Sequence, residues 1–474
     1  MMIMEKNFSD KYKIPVGSLL LIFSILVSCK KLIQIPGNPP TNITRQQAFA
    51  DSATAMTTVA GAYSLTPGGA GLPYQDGSFT FATSLSGREI NYAAGYGDVG
   101  QFYSYNVTPV NSEVNSIWVA HYKEIYQVND ILANIKDNPN LSASFIRQIT
   151  GEMEFVRAFC YFNMVNLFGG VPLVTTTDYT TNARLPRATA DSVYTQILAD
   201  LEDAVKKLPA TFPSAGHMRP NLYTATALLA KVHLYLGQWQ AAYNEADSVI
   251  KSGDFSLLSN LNNVFLDGSN EAVWQVPILN IAQGSSEAGN FLPYSNTTTP
   301  NYVITDSLLD QFEANDLRKV AWLGVNVVNS QNVYYPAKYK DRYPTTPATD
   351  YMLLRYADII LIRAEAAAQL NNLSQAVMDI NIIRTRAGLP GTSADPTSQS
   401  AVLAAIRKER RTEMFTEFGS RWFDLNRTSA DTKYPASTQA PAVLDGWTEN
   451  AALYPIPQTQ ISLNNTLTQN PGYH

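Results

Sequence analysis

Cysteine is nearly absent. The chain has two, Cys29 and Cys160, in 474 residues. That excludes a disulfide framework, and a chain this long can rely on its core instead. Histidine is scarce too. His121, His217, His233 and His474 lie far apart, with no H-x-x-x-H or C-x-x-C pattern, so nothing predicts a zinc site and no metal or cofactor is expected. Phosphate, dinucleotide and nucleophile-elbow fingerprints are missing in any suitable context. A net charge of −6 offers no basic surface, so no nucleic acid is expected as a partner. Only 16% of residues are charged against 45% hydrophobic, which indicates a globular body with a large core.

No apolar run is long enough to span a membrane as a helix, which needs about 20 residues. The longest candidate, Ile14 to Ser28, stops at 15 and follows Lys6, Lys11 and Lys13. That layout is a secretion signal rather than a spanning helix. An A-x-A-like cleavage site is lacking. Leu26-Val27-Ser28-Cys29 instead resembles a lipobox, cut before a cysteine whose thiol then carries acyl chains. Each buried CH2 contributes about 0.8 kcal/mol, and two or more chains hold firmly. The expectation is a signal over residues 1–28, lipidation at Cys29, and an extended tether over 29–42 containing Pro36, Pro39 and Pro40.

What is present in quantity is helical period. "NSIWVAHYKEIYQVNDILANI" places Ile117, Tyr122, Ile125, Val128 and Ile131 on one face. "ASFIRQITGEMEFVRAFCYFNMVNLF" follows and is closed by Gly169-Gly170 and Pro172. "TADSVYTQILADLEDAVKKLP" is amphipathic. "SAVLAAIRKERRTEMFTEFGSRWFDL" is expected to be the last long helix. Residues 236–250 and 370–384 align at a constant offset of 134: Leu236 with Leu370, Gly237 with Asn371, Ala242 with Ala376, Val249 with Ile383. Gly and Asn best tolerate a left-handed position between two helices. The pattern is tetratricopeptide-like helix-turn-helix, in scattered copies. The fold class expected is mostly α, with such units over about 115–170, 190–252 and 350–418, irregular insertions over 66–110 and 253–349, and a few short strands.

Glu409, Glu413 and Glu417 recur every four residues, so they repel along a lone helix and need partners elsewhere. Arg157, Arg384, Arg386 and Arg421 sit in apolar contexts and need carboxylates. Interhelical Arg–Glu pairing answers both, and no catalytic residue is predicted.

Tyrosine is abundant, with 26. Tyr74, Tyr92, Tyr96, Phe102, Tyr103 and Tyr105 fall in the first insertion. Tyr294, Tyr302, Trp322, Tyr334, Tyr335 and Tyr343 fall in the second. Sugar rings present apolar C–H faces with hydroxyls at the rim, and flat aromatics beside Asn, Asp, Arg and Gln match them. Singly, each ring is as well explained by packing loops on the scaffold. As a group they predict that two or three line a binding surface. The ligand-binding candidates are Tyr74, Tyr92, Tyr96, Tyr103, Tyr294, Tyr302 and Trp322.

The motifs in order resemble the SusD-like (RagB/SusD) family of outer-membrane nutrient-binding lipoproteins. They are "WVAHYKEIYQVNDIL", "GEMEFVRAFCYFNMVNLFGGVPLV", "LPRATADSVYTQILADLEDAVKKLP", "NEAVWQV", "LLRYADIILIRAEA", "INIIRTRAGL", "ERRTEMFTEFGSRWFDLNR" and "LYPIPQTQISLNNTLTQNPGY". The resemblance implies one α-helical domain over 43–474, held at the outer membrane by its lipid and facing outward. It implies a non-enzymatic role, in which the protein binds an oligosaccharide or other nutrient and delivers it to a SusC-like TonB-dependent transporter. It supplies no ligand residues. A tetratricopeptide scaffold for a peptide or protein partner, and an α-helical glycoside hydrolase, are the alternative readings.

Overall fold

A computed structural model describes residues 43–63, 77–278, 285–343, 349–429, 431–434 and 436–473. The expected signal, Cys29 and the tether lie outside these residues, and so does Tyr74. No described helix is long and apolar enough to cross a membrane.

The body is mostly helical. Its main helices are α1 (Ser52–Ala62), α2 (Ser78–Ser86), α3 (Gly97–Ser104), α4 (Ser112–Ile135), α5 (Ala143–Phe168), α6 (Ala190–Lys207), α7 (Leu222–Tyr235), α8 (Trp239–Ser252), α9 (Ser286–Phe291), α10 (Leu317–Trp322), α11 (Tyr356–Gln369), α12 (Leu373–Arg386), α13 (Gln399–Glu413), α14 (Ser420–Arg427) and α15 (Gln458–Leu463). From α4 to α8 each packs on the next. The stack continues from α8 to α11, which also holds α12 and α13. Local chemistry sets the ends. Asn111 accepts from the Glu113 and Val114 N–H groups at the start of α4, and Thr189 accepts from Ser192 at the start of α6. Lys206 and Lys207 occupy the last turn of α6, where a cation favours the dipole. Between α5 and α6, Arg157 donates to both Asp200 oxygens at 2.8 and 2.7 Å and to Asn129 at 2.8 Å.

The two aligned copies share a turn. Gly237 and Asn371 take φ of 68° and 62°. Gln238 N–H reaches back to His233 O at 2.9 Å, and Asn372 N–H reaches Ala367 O at 2.8 Å. The left-handed residue closes α7 against α8 in one case and α11 against α12 in the other.

Among the described residues, three two-stranded antiparallel sheets sit outside the stack. β1 (Ile90–Tyr92) pairs with β3 (Tyr302–Ile304), β2 (Ala272–Val276) with β6 (Tyr351–Arg355), and β4 (Leu323–Val328) with β5 (Gln331–Pro336). The first insertion is less irregular than expected, because α2 and α3 lie in it. All of α2 is buried, so it carries no amphipathic period to read.

The expected last long helix is two helices. α13 ends at Glu413, and Thr416, Phe418 and Gly419 then take φ of 51°, 42° and 69°. The break is held by tertiary bonds. Lys338 Nζ and Arg355 Nη2 donate to the Glu413 carbonyl at 2.8 and 3.0 Å, and Thr416 N–H donates to Glu89 Oε2 at 3.1 Å.

The glutamate row finds its partners there. Glu413 takes Arg355 at 2.6 Å, Arg318 at 3.1 Å and Arg386. Glu409 takes Arg318 and Arg384 at 2.6 and 3.3 Å, and Glu417 takes Arg355 and Lys338. Glu271, just before β2, also pairs with Arg355 and Arg386. These carboxylates and their partners lie away from water, where the charges neutralise one another.

Candidate functional site

The β1–β3 ladder joins the two insertions. Tyr92 pairs with Tyr302, Asn91 with Val303 and Ile90 with Ile304. Ala93 N–H donates to Asn301 O and Thr305 N–H to Glu89 O, extending the ladder at both ends. Tyr302 is buried. Its ring stacks on Phe81, meets Phe291 edge-on and lies 5.4 Å from the half-buried ring of Tyr92.

Beyond β1 the chain turns through Gly95 and Gly97, both at φ 71°. Between them Tyr96 is 76% exposed. A side chain at either glycine would meet nothing within 4 Å, so that side of the turn is open, while the Gly95 backbone lies against Gly100 of α3. Arg88, itself at φ 54°, lays its guanidinium 3.9 Å over the half-buried Tyr103 ring. It also donates to Tyr105 Oη at 3.3 Å and to Asp445 O at 2.7 Å. Burial pushes the Tyr105 hydroxyl up. A cation held over a ring this way is worth about 0.5–1 kcal/mol at an exposed site and fixes the ring's orientation.

The second insertion repeats the device. Tyr294 is 78% exposed, with the Arg342 guanidinium 3.7 Å from its ring centre. Arg342 donates to Gly289 O at 2.6 Å. The loop that follows Tyr294 is tied to β4 by the buried Asn326, which donates to Ser295 O at 2.8 Å and Thr298 O at 2.7 Å. Tyr343 is exposed. On the β4–β5 hairpin Gly324 faces Tyr335, and a Cβ at 324 would lie 2.2 Å from that ring. Only glycine admits the ring at this approach.

Two candidates are placed differently from expectation. Trp322 is fully buried, its indole N–H donating to Leu261 O at 3.0 Å. Lys338 Nζ lies 4.8 Å from its ring centre, and the Arg355 and Arg386 guanidinium carbons lie 5.5 and 5.4 Å away. This tryptophan packs the ion network and has no free face for a ligand. Tyr302 is buried support for Tyr92 and is likewise not a contact surface. Tyr92, Tyr96, Tyr103 and Tyr294 are the candidates with accessible rings. Sequence reasoning missed Arg88, which covers Tyr103, Arg342, which covers Tyr294, and Asn326, which ties down the loop after Tyr294. Nothing local marks those three, since each acts on a residue distant in the chain or across a turn.

The arrangement offers flat apolar faces backed by fixed cations. Chemically, such a surface can stack on apolar faces and hydrogen-bond at its rim. A buried carboxylate beside it, Glu89, is engaged: it accepts from Thr416 N–H, and burial pushes its carboxyl up to about 7.

Residues 323–473 match a family model described as "SusD family", and residues 49–234 match one described as "Starch-binding associating with outer membrane". The chain is similar to SusD-like protein P38 of Formosa agariphila, 26% identical over 529 aligned residues that cover 99% of each chain. A SusD superfamily protein of Bacteroides thetaiotaomicron has the same fold, with a TM-score of 0.74 at 23% identity, over 89% of this chain and 100% of that one. A laminarin-binding SusD-like protein shares the fold with a TM-score of 0.71 at 23% identity, over the same shares.

Proposed function

The chain belongs to the SusD-like family, and from that premise we propose that it is a lipid-anchored outer-membrane protein, facing outward, that binds an oligosaccharide and delivers it to a SusC-like TonB-dependent transporter. The reading of carbohydrate as the cargo is supported by one observation above all. The β1–β3 ladder brings the two tyrosine-rich insertions into contact and leaves Tyr96 and Tyr294 exposed. The starch-binding description of the matched model and the laminarin-binding relative in fold agree with it.

The role is binding rather than catalysis. Stacking on a few rings gives modest affinity, which suits a cargo that must be released. A tethered binder raises the local ligand concentration above the transporter. Cys29 supplies the tether's lipid.

Titration calorimetry against neutral oligosaccharides tests the binding. Tyr96→Ala and Tyr294→Ala should each weaken the preferred ligand about tenfold, roughly 1.4 kcal/mol, with unchanged melting. Equal affinity in both variants would remove this face from the function. Release of reducing sugar by the purified protein would replace the binding role with hydrolysis. Mass spectrometry of the mature N-terminus tests the acylated Cys29.

A further inference from the structure

A second concavity is built from other elements. The middle of α4, the segment 172–183 that follows the α5 stop, and α15 near the C-terminus border an open cavity of about 330 Å3. That is the small end of the range for ligand pockets, about 300–1,000 Å3. Its floor is aromatic. Trp118 is buried, edge-to-face with Phe168 at 5.0 Å and 5.1 Å from Tyr122. Tyr122 is fixed by donating to Pro172 O at 2.7 Å.

The rim is apolar and exposed. Tyr179 is 78% exposed and Leu463 79%, and they come from segments far apart in the chain. Tyr126 is held on the rim by Arg45, which donates to its hydroxyl at 3.1 Å while pairing with Asp130 at 2.8 Å. Large apolar side chains left in water around a cavity mark a binding site more often than chance.

The polar lining is all carboxamide: Asn182, Gln460 and Asn464. Gln460 donates to Asn115 Oδ1 at 3.2 Å, which fixes its amide and leaves its Oε1 as an acceptor. Asn464 donates to Leu185 O at 2.9 Å and accepts from the Thr466 N–H and hydroxyl at 3.1 and 2.8 Å, and Asn182 donates to Thr176 O at 2.8 Å, so Gln460 is the carboxamide with an acceptor to offer. None of the twelve lining residues is charged.

We propose that this cavity is a second saccharide site, selecting short neutral oligosaccharides. Ring faces meet C–H faces, the Gln460 carboxamide meets hydroxyls, and the lining itself is uncharged, with Arg45 at the rim already neutralised by Asp130, so an acidic or basic sugar gains no free counter-ion in a partly desolvated site. The proposal rests on the carbohydrate-binding reading above, but the site shares no residue with the Tyr96 and Tyr294 face, so either can fail alone.

The test is calorimetry on the purified protein with maltotriose, laminaritriose and xylotriose, and with galacturonic acid trimer as the charged comparison. The expected result is two classes of site for at least one neutral trimer. Tyr179→Ala should remove one class, weakening it at least tenfold, and the Tyr96→Ala/Tyr294→Ala double variant should leave that class intact. Because Tyr179 is exposed, its variant should melt as the parent does, which keeps loss of binding distinct from loss of fold. A single class untouched by Tyr179→Ala in both backgrounds overturns the proposal. So does a cavity class that prefers the charged trimer.

Discussion

Tyr302 lies under Tyr92, ring centres 5.4 Å apart, as opposed residues of the β1–β3 ladder. One ring is buried and the other half-open. The two substitutions Tyr302→Ala and Tyr96→Ala should therefore separate stability from recognition. Tyr302→Ala should cost about 3–5 kcal/mol, as large aromatic truncations in a core do, and weaken ligand binding because β1 loses its support. Tyr96→Ala should leave stability within about 0.5 kcal/mol and weaken binding. Urea unfolding alongside calorimetry reads both. If Tyr302→Ala is as stable as the parent, the ladder does not position the face.

Glu413 carries three guanidinium groups. Burial alone would raise its carboxyl, yet Arg386, Arg355 and Arg318 together hold it far below the usual range. Glu413→Gln keeps the shape and removes the charge. It should cost about 3–5 kcal/mol in urea unfolding, since it leaves buried cations short of a partner. Removal of only one exposed pair, as in Lys251→Ala, should change stability by less than about 1 kcal/mol.

Two buried groups pull stability in opposite directions over the same range, from about pH 4 to about pH 7. Burial pushes Glu89 up to about 7, so the folded chain keeps a proton that the unfolded chain releases above about 4.3. The Glu89 contribution therefore declines as pH rises from there to about 7 and is level beyond. Burial pushes His121 down to about 4. The unfolded histidine charges below about 6.5, so stability falls as pH drops from there toward 4. Melting from pH 4 to 8 should show Glu89→Gln gaining stability relative to the parent as pH rises from about 4.3 to about 7, so that the fall toward pH 4 caused by His121 is steeper in the variant. A profile identical to the parent's would assign the pH dependence elsewhere.

The shared turn can be tested directly. Asn371 adopts φ 62° where its counterpart Gly237 adopts 68°. Asn371→Gly should be within about 0.5 kcal/mol of the parent, while Asn371→Val should cost about 1–2 kcal/mol, because a branched Cβ is strained in the left-handed region. Equal costs for the two variants in thermal melts would mean that backbone conformation is not what selects asparagine there.

The helical scaffold was legible in the sequence wherever a helix has one wet face. α4, α6 and α8 announce themselves by period. The turn at Gly237 and Asn371 was readable because few residues tolerate it. α2 was missed because burial on every side erases the period. The α13–α14 break was missed because its cause is remote: Lys338, Arg355 and Glu89 bond to it from up to 327 residues away. Trp322 reads as an exposed loop aromatic in sequence, and only the partners of the glutamate row reveal that it is enclosed. The cavity residues Tyr126 and Tyr179 gave no signal, since one looks like a helix-surface tyrosine and the other like part of a threonine-rich loop.

The ion network has a mechanical consequence. Arg318, Glu271 and Lys338 belong to the second insertion, whereas Arg386, Glu409, Glu413 and Glu417 belong to the helical stack and the turn that ends it. Every one of them is tied across that boundary or through a shared arginine by charge in a dry interior, so sliding one part against the other would expose several unpaired ions at once. The network is thus a brace: it pins the second insertion to the end of the helical stack, and parting the two would leave several buried ions short of partners together.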